Sequence, residues 1–385
     1  METLKRERNL YIDYLRLMVI GLVVMVHLAC TYSNIGSWYY FEKRDIGIIS
    51  TLVFGIFQSF TQAYFMGFMF LLAGFFVPAA YDKKGFGKFI KDRAIRLGIP
   101  ALIYMLIIQP FICYVILGDY YRINRALFLK DSLQKIMTLD FLGGSGPLWF
   151  VFALLIFCMI YAFVRRLSKN RVTNGEKPFP SAKSIFILIG IMGGVTFLVR
   201  IIQPIGTTVM NMQLCFFTQY IMLFVIGIKA YRYNWLEQIN YSWGIKWLKA
   251  AVIAGPLILI GIFVGTGAAS SGVDGFNSAM GGLHIASLVY SIWESFIAVA
   301  MAIGLIALFK EKFNKPNRLF QALSDNGFAV YMFHAPIIIY LSFLFRDINL
   351  PAFSKFILMC VIDLPVCFLA AHFIFRKIPL LKKIL

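Results

Sequence analysis

The sequence predicts an all-α integral membrane protein, a single bundle of about ten transmembrane helices with both termini in the cytosol. Of the 385 residues, 60% are hydrophobic and only 14% are charged, with a mean hydropathy of +0.77. A soluble globular protein has no use for so much apolar surface. The net charge of +19 comes from Lys and Arg residues that cluster in short segments between long apolar runs. This pattern indicates the positive-inside rule of multi-pass membrane proteins rather than nucleic-acid binding.

Apolar runs of about 20 residues mark the spans, and the charge beside each run sets its direction. Lys5, Arg6 and Arg8 place the start of the first span in the cytosol. No small-residue cleavage site follows this span, so we expect it to remain as an anchor. Predicted cytosolic segments hold about three times as many basic residues as predicted outer segments. The predicted spans cover residues 10–32, part of 46–81, 98–118, 147–164, 184–199, 213–228, 250–265, 283–309, 327–345 and 356–375.

No internal repeat and no separate soluble domain is visible, so residues 1–385 are expected to form one membrane domain. The run 46–81 is too long for one span and barely long enough for two. We expect an interfacial or tilted lead-in containing Gln58 and Gln62, then one span through MGFMFLLAGFFVP. A basic cytosolic loop is expected at 82–96. Arg200, at the end of the fifth span, is expected to snorkel toward the outer surface.

The first span carries three polar residues that helical geometry would align. Asp13 and Arg16 are three positions apart, and His27 follows Arg16 by eleven positions, close to three whole turns. The three side chains then share one face, with about 16 Å between Arg16 and His27 along the axis. An imidazole can act as a general base near neutral pH. The alternatives are a neutral histidine bonded to a neighbouring helix and a simple ion pair at the membrane surface.

Arg93 and Arg96 form an Arg-x-x-Arg pair, and α-helical spacing would place both guanidinium groups on one face. The planar fork of arginine donates two hydrogen bonds at once, which suits a phosphate. An ordinary positive-inside cluster is the alternative. We interpret the pair as a candidate phosphate site because Asp13 and Arg16 are predicted at the same membrane face.

Further polar residues interrupt the later spans. Glu294 lies mid-span, where an ionised carboxylate needs either a partner or a wet cavity. His334 precedes Pro336, which is expected to disturb the helix beside the imidazole, and Asp363 is a weaker candidate. The six cysteines show no metal-ligand spacing, so we interpret them as small core residues and expect no metal.

Taken together, these residues resemble the acyltransferase 3 family of multi-pass membrane acyltransferases. Arg16 and His27 match the family's first-helix pattern of an arginine, ten residues and a histidine, and Arg93 and Arg96 match its cytosolic Arg-x-x-Arg. The run FMFLLAGFF resembles the family's small-Gly-Phe segment, with alanine where serine is usual, and PLWFVFALL resembles its Leu-Trp-Phe segment. The runs RAIRLGIPAL, YMFHAP and RKIPLL look closest to the glucan biosynthesis protein C branch.

The resemblance implies an enzyme that moves an acyl group, acetyl or succinyl, from cytosolic acyl-CoA to a hydroxyl of a glycan or related cell-envelope acceptor. His27 would assist the attack of the acceptor hydroxyl. Arg16 and Asp13 would complete the catalytic line on the first helix, and Arg93 and Arg96 would help to hold the coenzyme A phosphates. The expected location is the bacterial plasma membrane, with no nucleic-acid partner.

Three other residues, Glu294, His334 and Trp149, are candidates for the lining of the substrate cavity. The alternative function is a transporter or flippase for a polar or glycan-like substrate, in which Glu294, His27 and His334 would relay protons. A transporter has no use for a phosphate-binding arginine pair aligned with a histidine on the first helix. The pattern therefore favours the enzyme.

Overall fold

The structure, a computed structural model, describes residues 9–42, 46–120, 122–123, 127–168, 175–267, 273–379, 381 and 384. Its α-helices are α1 (Leu10–Ser33), α2 (Ile48–Gln62), α3 (Phe65–Arg93), α4 (Ile99–Ile103), α5 (Phe128–Met137), α6 (Trp149–Leu167), α7 (Ala182–Ile202), α8 (Phe217–Arg232), α9 (Trp235–Gln238), α10 (Tyr241–Gly265), α11 (Val273–Met280), α12 (Ile285–Lys312), α13 (Arg318–Leu344) and α14 (Ala352–Phe373). Within these ranges the chain forms no β-sheet, and an isolated bridge pairs Val209 with Met212. The all-α prediction is confirmed.

Nine continuous helical stretches of the described residues are long and apolar enough to cross a membrane. They agree with the predicted spans, except that the second and third predicted spans belong to one stretch of 69 residues, Ile48–Ile116. This stretch is long enough for more than one crossing. The side of the membrane on which the termini lie stays a prediction, and Lys5, Arg6 and Arg8 lie outside the described residues.

Helix α2 packs inside the bundle. Gln58 is buried, and its Nε2 donates to Ser33 Oγ at 3.1 Å. The helix is interrupted at Ala63 and Tyr64, where the side-chain amide of Gln219 donates to the Ala63 carbonyl at 2.6 Å. With 15 residues, about 22 Å, α2 is shorter than the hydrocarbon core. It begins the helical stretch Ile48–Ile116, and Gln58, one of the two glutamines of the expected interfacial or tilted lead-in, is hydrogen-bonded inside the bundle.

The basic segment 82–96 is helical, not the predicted loop. Helix α3 continues to Arg93 with one break at Gly85, whose φ of +69° is one that glycine adopts readily. The chain then winds in π-helical turns over Ala94–Gly98, Tyr104–Ile108 and Phe111–Ile116. Pro100 and Pro110 lack the amide hydrogen that an α-helical ladder needs, and a π turn is the wider alternative.

The charged ends of several helices meet at one end of the bundle, which we call the basic end. There the Tyr14 hydroxyl donates to the Lys315 carbonyl at 3.3 Å, and Arg232 donates to Asp82 at 3.0 Å. Lys310 Nζ donates to three backbone carbonyls around α9. The basic segments that were predicted to share one membrane face therefore do share one end of the bundle.

At the opposite end, the loop 34–42 that follows α1 is fastened to its neighbours. Lys355 is buried, and its Nζ donates to both carboxylate oxygens of Glu42 at 2.7 and 2.8 Å and to two backbone carbonyls. The Glu42 amide donates to the Thr31 carbonyl at 2.9 Å. Because a buried ammonium with several acceptors holds a fixed position, the loop is tied both to α14 and to α1.

Arg200 does not snorkel outward. Its side chain is 0% exposed, and it donates to Glu294 at 2.6 Å and to the Ser291 hydroxyl at 3.2 Å. The guanidinium also lies 5.3 Å from the ring of Phe216 and 5.4 Å from that of Tyr290. A mid-span carboxylate needs either a partner or a wet cavity. The structure shows the first of these, because Arg200 supplies the counter-charge for Glu294.

Candidate active site

Three rings from distant parts of the chain stack on one another. His27 comes from α1, Trp38 from the loop after α1, and His334 from α13. The ring centroids of His27 and Trp38 lie 3.9 Å apart with planes at 17°, and those of His27 and His334 lie 5.3 Å apart at 19°. Helices α1 and α13 pack together, and Gly327 admits the side chain of Ile20 where a Cβ would crowd it. We call His27, Trp38 and His334 the histidine cluster.

The nitrogen atoms of this cluster are incompletely satisfied. Nδ1 of His334 lies 2.9 Å from the Tyr331 carbonyl, which can only accept, so this nitrogen carries the proton. Nε2 of His334, Nδ1 of His27 and Nε1 of Trp38 are buried without a hydrogen-bond partner among the described residues. Buried polar atoms are normally paired, and three unpaired nitrogens in one stack indicate a place where a ligand or water completes the bonding.

Pro336 does not break α13, contrary to the expectation from sequence. The helix runs from Arg318 to Leu344 without interruption. A proline removes one amide hydrogen from the ladder, and tight packing on all sides lets a helix inside a bundle tolerate that loss. His334 is itself fully buried. It therefore projects from a regular helix.

A cavity of about 280 Å³ lies between α1, α3, α6 and α13, and we call it the Arg16 cavity. Its polar residues gather at the basic end, where Asp13, Arg16 and Asp325 lie. The remaining walls are mostly apolar. The full lining is Asp13, Arg16, Leu17, Ile20, Met69, Ala73, Leu97, Phe150, Val151, Leu154, Ser324, Asp325, Gly327, Phe328 and Tyr331. Tyr331 connects the cavity to the histidine cluster, because its ring centroid lies 6.1 Å from that of His334.

Asp13 and Arg16 face this cavity together, as the helical spacing predicted. Arg16 Nη1 lies 3.6 Å from Asp13 Oδ1, and the guanidinium packs 4.4 Å from the centre of the Phe76 ring. Helix α1 is continuous through His27, so the rise of about 16 Å between Arg16 and His27 holds. His27 does not line the cavity, whose last α1 residue is Ile20. The three residues predicted on one face of α1 therefore lie in two places. Asp13 and Arg16 line the cavity, whereas His27 belongs to the ring stack.

Arg93 and Arg96 occupy different environments. Arg93 is half-buried, its guanidinium lies 5.1 Å from the Phe89 ring, and it is close enough to act electrostatically on Arg16. Arg96 is 66% exposed, and its Nε lies 3.3 Å from Asp92. The chain enters a π-helical turn at Ala94–Gly98, so the pair spans the junction between α3 and this turn. Both lie at the basic end, outside the cavity lining.

The three candidates for a substrate cavity are not brought together. Glu294 is paired with Arg200 and is absent from the Arg16 cavity. Trp149 stacks on Tyr220 at 5.6 Å and touches the cavity indirectly through Phe150, at 6.4 Å. His334 joins the histidine cluster.

Two neighbours of the candidate residues were not predicted from the sequence. Tyr331 lies three positions before His334, on the same helix face, and this spacing could have revealed it. Trp38 lies in a loop, where no periodic signal applies.

Comparison of the sequence with known proteins identifies the family of this chain. No curated protein and no solved structure matches the chain at a significant level. The sequence model of a family described as an acyltransferase domain, Acyl_transf_3, matches residues 9–372, from α1 into α14. The match includes the Arg16 cavity and the histidine cluster. The chain therefore belongs to the acyltransferase 3 family and is a multi-pass membrane acyltransferase.

Proposed function

We propose that this enzyme transfers an acyl group from cytosolic acyl-CoA to a hydroxyl of a glycan or related cell-envelope acceptor, with His27 as the general base. The observation that carries the proposal is the Arg16 cavity. It starts among charged residues at the basic end and reaches Tyr331, beside the histidine cluster. A polar donor can thus be anchored at one end while its reactive group extends into the bundle.

The lining of the Arg16 cavity and the arginines at the basic end support coenzyme A as the carrier. Its phosphates are too polar to enter lipid, and Arg16, Arg93 and Arg96 provide guanidinium groups at the basic end. The pantetheine arm is thin and suits the apolar walls beyond Arg16, and its extended length is comparable to the rise of about 16 Å from Arg16 to His27. Arg16 and Asp13 act on the donor in this arrangement.

The chemistry needs one base. A nitrogen of His27 takes the proton from the acceptor hydroxyl as the oxygen attacks the thioester carbonyl. The new carbon–oxygen bond forms, the carbon–sulfur bond breaks, and the coenzyme A thiolate takes the proton from the imidazolium. Trp38 fixes the plane of the His27 ring by stacking, and His334 borders it on α13. Reactants and products balance without a metal or a redox cofactor.

Finer parts of the proposal rest on sequence. Acetyl and succinyl are the proposed acyl groups, and RAIRLGIPAL, YMFHAP and RKIPLL support the glucan biosynthesis protein C branch. The proposed location is the bacterial plasma membrane, and the loop charges support an orientation with the basic end and both termini in the cytosol. Membership in an acyltransferase family favours this function over a transporter or flippase.

The test compares cells that carry wild type, His27→Ala or His284→Ala at matched membrane level. His284 is exposed at the start of α12, away from the histidine cluster, and serves as the control. Mass spectrometry of cell-surface glycans and lipids should show an acyl mass increment in wild type and His284→Ala that His27→Ala lacks. An identical acyl pattern in all three strains would sink the assignment of His27.

A further inference from the structure

A second cavity lies away from the basic end, and the proposed function leaves it unused. It has a volume of about 340 Å³ and is bounded by the helical segment 105–114, by α5 and by the short turn Asp140–Gly144. Its polar lining includes Gln109, Tyr114, Ser132, Lys135 and Asp140. We call it the Gln109 cavity.

Two side chains connect the wall of this cavity to His27. Gln109 accepts a hydrogen bond from the Tyr39 hydroxyl, which lies 3.2 Å from the Tyr104 hydroxyl. The Tyr39 ring packs edge-on against Trp38 at 5.1 Å, and Trp38 stacks on His27 at 3.9 Å. The Gln109 cavity therefore approaches the histidine cluster from the side opposite to the basic end.

The turn that leads into α6 separates the two cavities. Gly144 lines the Gln109 cavity, while the Pro147 carbonyl accepts a hydrogen bond from Tyr331, which lines the Arg16 cavity. Gly146 has a φ of +46° and lies so close to Tyr39 that a Cβ has no room. Asn211 Nδ2 donates to the Gly146 carbonyl at 2.9 Å and holds the turn in place. Both cavities thus end at this turn, which contacts Tyr39 on one side and Tyr331 on the other.

The mouth of the Gln109 cavity is flanked by apolar side chains. Leu106 and Ile136 line it and are 41% and 45% exposed. Beside them Ile107, Leu133 and Met137 are 62%, 60% and 84% exposed. Helix α5 has no buried residue, and its charged and apolar side chains segregate as in helices that lie at a membrane interface. The cavity therefore opens toward lipid.

We propose that the Gln109 cavity binds the acceptor, and that this acceptor is a hydroxyl-bearing head group anchored in the bilayer, as in a glycolipid. The inference rests on the proposed function and names its acceptor class. Amide, hydroxyl, ammonium and carboxylate groups hydrogen-bond the hydroxyls of a polar head, while the apolar flanks accept its lipid chains. The reacting hydroxyl reaches His27 past Tyr39 and loses its proton there, as in the transfer described above.

The experiment follows newly acylated material in cells that carry wild type, His27→Ala, Ser132→Trp, Lys135→Ala or Leu129→Trp. Trp at position 132 fills the cavity, and Lys135→Ala removes an exposed polar group from it. Leu129 is 71% exposed on α5 outside the cavity and gives the matched control. Cultures receive a brief pulse of ¹³C-labelled acetate or succinate, and organic-extractable lipids are separated from water-soluble glycans before mass spectrometry.

The His27-dependent label should enter the lipid fraction first. Ser132→Trp should lower this label at least tenfold and Lys135→Ala several-fold, with Leu129→Trp within twofold of wild type. Acyl-CoA should bind purified Ser132→Trp as it binds wild type, because the donor enters at the other end. A His27-dependent label confined to water-soluble glycans from the earliest time overturns the lipid anchor, and wild-type labelling by both cavity variants overturns the site. The absence of any His27-dependent label is a separate result, which refutes the proposed function itself.

Discussion

The two imidazoles of the histidine cluster differ in their bonding. His334 donates from Nδ1 to the Tyr331 carbonyl, which leaves Nε2 as an acceptor. Nδ1 of His27 is also buried, but it makes no such bond to any described residue. Since no described residue bonds Nδ1 of His27, this nitrogen can gain and lose a proton without breaking a bond to the described part of the chain. This difference supports His27 as the base and His334 as a positioning residue.

Stacking by Trp38 should matter more than its indole nitrogen. Trp38→Phe keeps an aromatic face on His27, whereas Trp38→Ala removes a ring contact worth about 0.5–1.5 kcal/mol, a loss of roughly two- to twelvefold in rate. We expect kcat for acyl transfer to fall in Trp38→Ala and to return largely in Trp38→Phe, with KM for acyl-CoA unchanged in both. A selective rise in that KM would contradict a positioning role.

Arg93 should contribute more to donor binding than its neighbours. It is half-buried close to Arg16, and a charge-assisted bond to phosphate is worth about 1.5–3 kcal/mol. Arg93→Ala should therefore raise KM for acyl-CoA about tenfold or more. Arg96→Ala should have a smaller effect because the side chain is exposed to solvent. Lys91→Ala, at an exposed position two residues before Arg93, is the control, and an equal effect there would show a general charge effect only.

The buried pair of Arg200 and Glu294 makes a prediction about stability. Glu294→Ala leaves an unpaired guanidinium that is 0% exposed, and breaking such a pair costs about 3–5 kcal/mol. The double variant Arg200→Met, Glu294→Leu removes both charges and should recover much of that loss. Thermal unfolding in detergent measures this. A double variant less stable than Glu294→Ala would show that the pair itself is favourable.

At the scale of elements, glycines on α3 and α8 let the backbones of these two helices come into direct contact. Gly74 on α3 lies against the backbone of Phe224, and Gly227 on α8 lies against the backbone of Leu71. Small residues let helix backbones approach inside a membrane, where packing replaces the hydrophobic effect as the source of association. This contact holds α3, and with it the Met69 wall of the Arg16 cavity.

Alanine substitutions should distinguish glycines that touch a neighbouring helix from glycines that have open space around them. Gly74→Ala places a Cβ into the Phe224 carbonyl, so we expect reduced yield of folded protein and a lower unfolding temperature. Gly190→Ala on α7 has open space around it and should be neutral or stabilising by about 0.5–1 kcal/mol. Size-exclusion profiles and thermal unfolding check both. Equal stability of the two variants would argue against close packing of α3 and α8.

The spans were predictable because burial in lipid requires long apolar runs, and α1, α6, α12 and α14 follow them closely. Features that depend on tertiary packing were not predictable from the sequence. The π-helical turns after α3 reflect how Pro100 and Pro110 are accommodated, and a proline alone does not distinguish a kink from a wider turn. Helix α5 lies in a segment of mixed charge that gave no span signal.

At the scale of the whole molecule, the predicted orientation can be measured by chemical labelling. In a cysteine-free background, Lys130→Cys on the charged face of α5 should react with a membrane-impermeant maleimide added to intact cells. Arg318→Cys at the exposed start of α13, at the basic end, should react only after permeabilisation. The expectation follows from the positive-inside rule. The reverse labelling pattern would place the donor cavity on the wrong side of the membrane for cytosolic acyl-CoA.

The candidate site was predictable from the sequence where its residues lie on one helix. Asp13, Arg16 and His27 lie on one helix, so periodicity alone aligned them. Contacts between distant segments follow from no local pattern. Trp38 reaches His27 through a loop, Arg200 meets Glu294 from another helix, and Glu294 consequently lies away from the cavity where a mid-span carboxylate was a candidate.

The fastening of loop 34–42 determines how its tryptophan can behave. Its first residue, Asn34, caps α1 in a left-handed conformation, and Glu42 at its other end is held by Lys355 and by the Thr31 carbonyl. Fixing one residue costs about 1–2 kcal/mol of backbone entropy, and here that cost is met when the protein folds, not when a ligand arrives. Both ends of the loop that carries Trp38 are therefore in place before a ligand arrives, so ligand binding does not have to order them.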